Sequence, residues 1–152
     1  MMNSHWESAV RILAQCFDDQ LEALRLSLIA DFAIVSSICG NVYTLLAVTS
    51  ELKLPSLAVG HDFPCRDSYC KQVVRSQQML IHTHLEKFTH RMLHPVFTVM
   101  QPESYIGEPL WIRGDVVGTL NFSGFTARPS GYCDQAIAQV KGLARAIEVE
   151  LR

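Results

Sequence analysis

An α+β domain built on a central antiparallel sheet is the fold class this sequence predicts, on three observations. Its β-rich segments come in neighbouring pairs joined by two-residue turns. Its helical segments stand at the two chain ends and in one crossover between the strand pairs. With 49% hydrophobic and 18% charged residues over 152 positions, one core suffices and disorder is excluded. A single domain is expected to fill residues 1–152, with a helical N-terminal part within 1–29 and a helical C-terminal part within 131–152.

The first element is a helix over about residues 8–28, because Val10, Leu13, Ala14, Phe17, Leu21, Leu24 and Leu28 fall at spacings of three and four. Ser4 or Ser8 can supply its N-cap. Residues 32–39 and 42–49 are β-branched and aromatic, and Gly40-Asn41 between them can take the positive φ of a tight hairpin, expected at a sheet edge. Pro55, Ser56 and Gly60 mark residues 52–61 as a loop before a short extended piece at Asp62-Phe63. A short helix follows within 64–78, with Asp67 or Ser68 as N-cap and Tyr69, Val73 and Val74 as its apolar members.

Residues 79–83 form a brief strand, and 85–100 contain a helix that ends before His94-Pro95, since proline disfavours helical geometry in the residue before it. Residues 104–113 and 116–123 pair across Gly114-Asp115, with Pro109 placed where no ladder N–H is needed. After a loop at 124–131, Ile137, Val140, Ala144, Ile147 and Leu151 form the seam of a last helix. Leu143, Ala146 and Val149 add a second apolar strip, of the kind that covers a sheet or meets a partner helix.

Charge narrows the functional classes. The 13 Lys+Arg against 15 Asp+Glu give a net charge of -2, which offers no basic field for nucleic acid or an anionic membrane. No apolar run reaches the roughly 20 residues of a membrane span, and the first residues lack a secretory pattern, so a cytoplasmic protein is expected. Five cysteines, an odd number without scaffold spacing, fit a reducing compartment and leave at least one free thiol.

Four stretches carry a family resemblance: Phe63-Pro64-Cys65-Arg66-Asp67-Ser68-Tyr69-Cys70, His94-Pro95, Glu103-Ser104-Tyr105-Ile106-Gly107-Glu108-Pro109-Leu110 and Gly118-Thr119-Leu120-Asn121-Phe122. In order and spacing they resemble the GAF domains, sensory relatives of PAS domains in bacterial signalling proteins. The resemblance implies a sheet with the terminal helices on one face. On the other face it implies a small-molecule pocket roofed by crossover helices and loops. The Asn-Lys-Phe-Asp-Glu signature of the cyclic-nucleotide-binding members is absent, as is the Cys-His pair to which phytochrome-like members attach a bilin. Free-methionine-sulfoxide reductases of the family place a reactive cysteine where Cys70 falls. They use further cysteines at spacings this chain lacks, with His94-Pro95 where one would be expected.

The expected function is therefore small-molecule sensing, with pocket occupancy passed to a partner or output through the terminal helices. A small polar molecule or anion is the expected ligand, held by Asp67, Ser68, Tyr69, Cys70, His82, His94, Glu103, Tyr105, Thr119 and Asn121; the cofactor stays open. No catalytic or metal-binding residue is assigned. Thr119, Asn121 and Ser123 form a polar row on one strand face, which either meets water or lines a cavity. Cys70 at a helix start reads either as an activated thiolate or as a small buried hydrophobe, and a Cys65-Cys70 redox pair needs their Cα atoms within about 7 Å. His82, His84, His90 and His94 form a loose cluster whose spacing favours pocket-lining over metal binding. The rival functions are a thiol redox switch or methionine-sulfoxide-reductase-like enzyme using Cys70, and a ligand-free dimerisation module. A homodimer through the terminal helices is expected in the sensing case.

Overall fold

The computed structural model describes residues 6–53, 55–65, 69–83 and 102–152. The chain runs α1 (Glu7–Cys16), α2 (Asp18–Ser27), β1 (Phe32–Cys39), β2 (Val42–Ser50), a 3-10 turn (Pro55–Leu57), β3 (Asp62–Pro64), α3 (Tyr69–Ser76), β4 (Leu80–His82), β5 (Ser104–Ile112), β6 (Asp115–Gly124) and α4 (Asp134–Leu151). The expected crossover helix within 85–100, with His84, His90 and His94, lies outside the described residues, as do the expected caps Asp67 and Ser68.

Where one helix over 8–28 is expected, two stand end to end. The break is at Phe17, whose φ of -126° leaves helical space. The hydrogen-bond ladder nevertheless crosses it: Phe17 N–H donates to Leu13 O at 3.0 Å and Leu21 N–H to Phe17 O at 2.8 Å. The apolar spacing thus survives a local kink, and Asp18 and Asp19 fall in the first turn of α2, where the helix dipole favours acids. The expected Ser8 cap does not form. Trp6 is the N-cap residue of α1 with no side-chain capping hydrogen bond, Ser8 lies inside the first turn, and Ser4 is outside the described residues.

The six strands order as β3-β2-β1-β6-β5-β4, each pair antiparallel. The first hairpin is therefore interior and not at the sheet edge, because the short β3 pairs with β2 through Val42–Pro64 to Thr44–Asp62. Its turn places only Gly40 at positive φ (+60°). The second hairpin turns at Arg113-Gly114, one residue earlier than expected: Ile112 pairs with Asp115, and Arg113 (+53°) and Gly114 (+83°) both take the positive φ that a two-residue type I′ loop requires. Pro109 lies past Gly107, the last β5 residue paired with β4, and keeps only its β6 partner, Thr119.

The sheet separates two apolar clusters. Leu13, Phe17, Leu21 and Leu28 of the N-terminal helices and Val140, Ala144 and Ile147 of α4 pack on one face, against Ala33, Val35, Leu120 and Phe122. Tyr69, Cys70 and Val73 of α3 pack on the other, against Phe32, Ile34, Tyr43, Leu45 and Tyr105. A bulge where Val35 pairs with Ala47 but Ser36 with Leu45 leaves Leu46 unpaired and turns both Leu46 and Ala47 toward the terminal helices. Each fully buried Leu, Val, Ile or Phe contributes roughly 1.5–3 kcal/mol. The expected layout of the terminal helices on one face is thereby observed. Along α4, Leu143 is buried with the seam while Ala146 and Val149 are exposed.

Candidate functional site

On the α3 face the strands present polar side chains where apolar ones would be expected. Strand alternation sends Leu120 and Phe122 of β6 to the terminal helices and Thr119, Asn121 and Ser123 to the α3 side. All three of the latter are at most 1% exposed, so the row does not meet water. Ser36 enters the same face because β1 pairs it with Thr119. Buried groups of this kind must be hydrogen-bonded, and a chain of contacts joins them. The hydroxyls of Ser36 and Thr119 stand 2.8 Å apart, the Asn121 amide donates to Thr119 Oγ1 at 3.1 Å and to Cys70 Sγ at 3.6 Å, and Cys70 Sγ is 3.2 Å from the Tyr105 hydroxyl. One network thus ties β1, β6 and β5 to the first turn of α3. Lys71, next on that helix, donates to the side-chain oxygen of Asn41, in the turn between β1 and β2, at 2.5 Å.

Rings complete the site. The Tyr69 ring packs in tilted contact at 5.1 Å from the Tyr105 ring and 5.3 Å from that of His82, which pairs with Tyr105 across the β4–β5 ladder. Tyr43 contributes a third buried phenol. Burial, first of all, pushes the Cys70 thiol up to about 11, against the hydrogen bonds from Tyr105 and Thr119 that pull it down. The same burial raises the Tyr43 and Tyr105 phenols well above their ordinary value and lowers His82, favouring the neutral imidazole. At neutral pH the site is a network of uncharged groups around a protonated thiol.

Of the ten residues expected to bind ligand, Tyr69, Cys70, Tyr105, Thr119 and Asn121 come together, and His82 joins through the Tyr69 ring. Glu103 stands just before β5, its N–H donating to Gly124 O at 2.8 Å. Asp67, Ser68 and His94 lie outside the described residues. Among the described residues these side chains interlock, and the cavities that open are lined by other residues. About 420 Å3 opens between α2 and α4 at Ala23, Leu24 and Gly142. About 380 Å3 opens under the loop after β2 at Val48, Leu57 and Val59. About 540 Å3 opens between Trp6, Ile12 and the β5–β6 turn.

Sequence reasoning missed Ser36, Tyr43 and Gly107. The first two read as ordinary strand residues, and only the β1–β2 and β1–β6 registers bring them to Cys70. The signal for Gly107 is a glycine inside a strand, which often marks a close approach. None of the five cysteines forms a disulfide: Cys65 and Cys70 are buried, and Cys16, Cys39 and Cys133 are exposed. No group of three or more metal-ligating side chains exists among the described residues, and none of their helices is long and apolar enough to cross a membrane.

The chain belongs to the GAF domain family, whose sequence profile matches residues 13–151. Solved structures show the same fold at low identity. The chain is similar to the type II free methionine-R-sulfoxide reductase of Thermoplasma acidophilum, with a TM-score of 0.71, 13% identity and 94% of each chain covered. It is also similar to the GAF domain of an Acinetobacter phosphoenolpyruvate-protein phosphotransferase, with a TM-score of 0.69, 15% identity, and 99% of this chain and 94% of that one covered. A third is the phycocyanobilin-bound GAF domain of a cyanobacterial phytochrome, with a TM-score of 0.66, 17% identity, and again 99% and 94% covered. No curated protein matches the sequence significantly.

Proposed function

We propose that this chain is a small-molecule-sensing regulatory domain that takes a small polar molecule or anion on the α3 face and signals through its terminal helices to a partner or fused output. The observation that carries this reading is the buried polar row Ser36, Thr119, Asn121 and Ser123. A face needed only for packing would be apolar, because buried hydroxyls and amides contribute little net stability and are costly when unpaired. A path to the helices also exists. Strand β5 holds Tyr105 on one face and Glu108 on the other, and Glu108 meets Arg145 of α4 at 3.1 Å. Arg145 also donates to Pro109 O at 2.9 Å and pairs with Glu148 at 2.9 Å, and Glu148 accepts the Trp111 N–H at 2.7 Å, beside the bulge between Leu110 and Trp111. A strain in β5 is thus delivered to α4, and a homodimer through α1, α2 and α4 would turn it into a shift between subunits.

The thiol-enzyme reading has the fold of the methionine sulfoxide reductases in its favour, but the Cys70 environment opposes it, since the thiolate is the reactive form. Melting the protein with nitrate, nucleotides, haem and bilin in turn tests the proposal: a ligand bound only by the folded state raises the melting temperature, by an amount that grows with its concentration. A flat response across the panel, from a protein that is dimeric in solution, would leave the ligand-free dimerisation module as the better account.

A further inference from the structure

The floor of the polar site lacks a side chain at one position, and Tyr105 lies over it. Gly107, two residues on in β5 and on the same face, is the cross-strand partner of Asn121, while Tyr105 is the partner of Ser123. A Cβ at Gly107 would overlap the hydroxyl and ring of Tyr105. The phenol therefore lies back along its own strand, over the glycine, and this is what brings its hydroxyl to Cys70. The Tyr69 ring forms one wall of that seat and the Asn121 amide reaches its inner end. Ser123, 1% exposed and directly across the ladder from Tyr105, has no hydrogen-bond partner for its hydroxyl among the described residues. A strand chosen for packing alone would place an apolar residue there.

We propose that the Tyr105 phenol is a plug in the ligand seat, and that the domain takes a planar, ring-sized molecule bearing a hydrogen-bonding group, which displaces the phenol over Gly107. This rests on the sensing reading and gives it a ligand class. The incoming ring stacks on Tyr69. Its polar group meets the Cys70 thiol and the Asn121 amide in place of the Tyr105 hydroxyl, and Ser123 is within the same enclosure. The displaced side chain belongs to β5, three residues before Glu108, so the exchange acts on the strand that holds α4.

Phenol itself is the probe, and its affinity is read from the rise in melting temperature with concentration for the full chain and three variants. Tyr105→Ala, which empties the seat, is expected to bind phenol most tightly, and Gly107→Ala in that background, which narrows the floor, to bind it more weakly. The deciding variant is Tyr105→Phe. It keeps the ring and opens no cavity, but loses the hydroxyl contact to Cys70, so the plug leaves more easily and the apparent affinity for phenol rises about fivefold over the wild type. A ring that is fixed core gives no such difference. Equal affinities for Tyr105→Phe and the wild type overturn the proposal, even where Tyr105→Ala binds phenol or fails to fold. A wild type stabilised by another ligand, with Tyr105→Phe no better than wild type toward phenol, sinks the plug and leaves sensing standing. Phenol binding to Tyr105→Phe, with a wild type silent to phenol as well as to nitrate, nucleotides, haem and bilin, keeps the seat and sinks the sensing reading.

Discussion

Alkylation of Cys70 with iodoacetamide, followed peptide by peptide in the folded chain, measures directly how the site treats its thiol. The ordinary value for this thiol is 9.0 and the site raises it to about 11. Two pH units correspond to about a hundredfold smaller thiolate fraction at pH 7, and hence about a hundredfold slower labelling from ionisation alone. Complete burial slows it further, because the reagent must wait for α3 to open. The exposed Cys16, Cys39 and Cys133 serve as controls in the same sample. The Cys70 rate should stay far below theirs at pH 7 and continue to climb about tenfold per pH unit above pH 9, where an ordinary thiol levels off. Labelling of Cys70 at pH 7 as fast as that of the exposed three would refute the reasoning, since it would mean an ionised, open thiol and would restore the enzymatic account.

Two further predictions concern the framework. Ile29 closes α2 at a φ of +53° while 83% exposed, and Ala30 N–H returns to Arg25 O at 3.0 Å, a C-terminal motif that glycine normally serves. A β-branched residue is strained there, so Ile29→Gly should stabilise the fold by about 0.5–1 kcal/mol in denaturant melts, and a loss of stability would show that Ile29 makes a contact worth more than its strain. Burial raises the carboxyl of Glu108 above its ordinary 4.5, and Arg145 and Lys141 offset this only in part, with Glu148 adding to the rise. A folded-state value above the unfolded one means that this group's contribution to stability is complete below about pH 4.5 and is lost as the pH rises through the folded value. The melting temperature of Glu108→Gln minus that of the wild type should therefore be more positive at pH 7 than at pH 4.5; the opposite trend would mean that the ion pair to Arg145 outweighs burial.

Much of the site was legible because strand alternation is local. The sequence Thr119-Leu120-Asn121-Phe122-Ser123 shows by itself that three polar side chains share one face. Tyr69 and Cys70 open a short amphipathic helix that needs a surface to cover. The bulge in β2 and the kink at Phe17 were not legible, because in both places the apolar pattern continues while the backbone changes. The turn at Arg113-Gly114 was displaced by one residue for a similar reason: Gly114 advertises positive φ, but the register of Ile112 with Asp115 decides which neighbour shares it.

Periodicity and turn chemistry in the chain alone determined an α+β domain, the strands and their hairpin partners, and which side chains travel together, since each of these depends on residues only a few positions apart. Tertiary structure decided the rest: that β1 lies beside β6, that Ser36 therefore meets Thr119, that Tyr105 folds over Gly107 to reach Cys70, and that burial pushes the Cys70 thiol up. Those outcomes depend on groups separated by tens of residues and on how completely water is excluded between them, and neither is written in any local stretch of the chain.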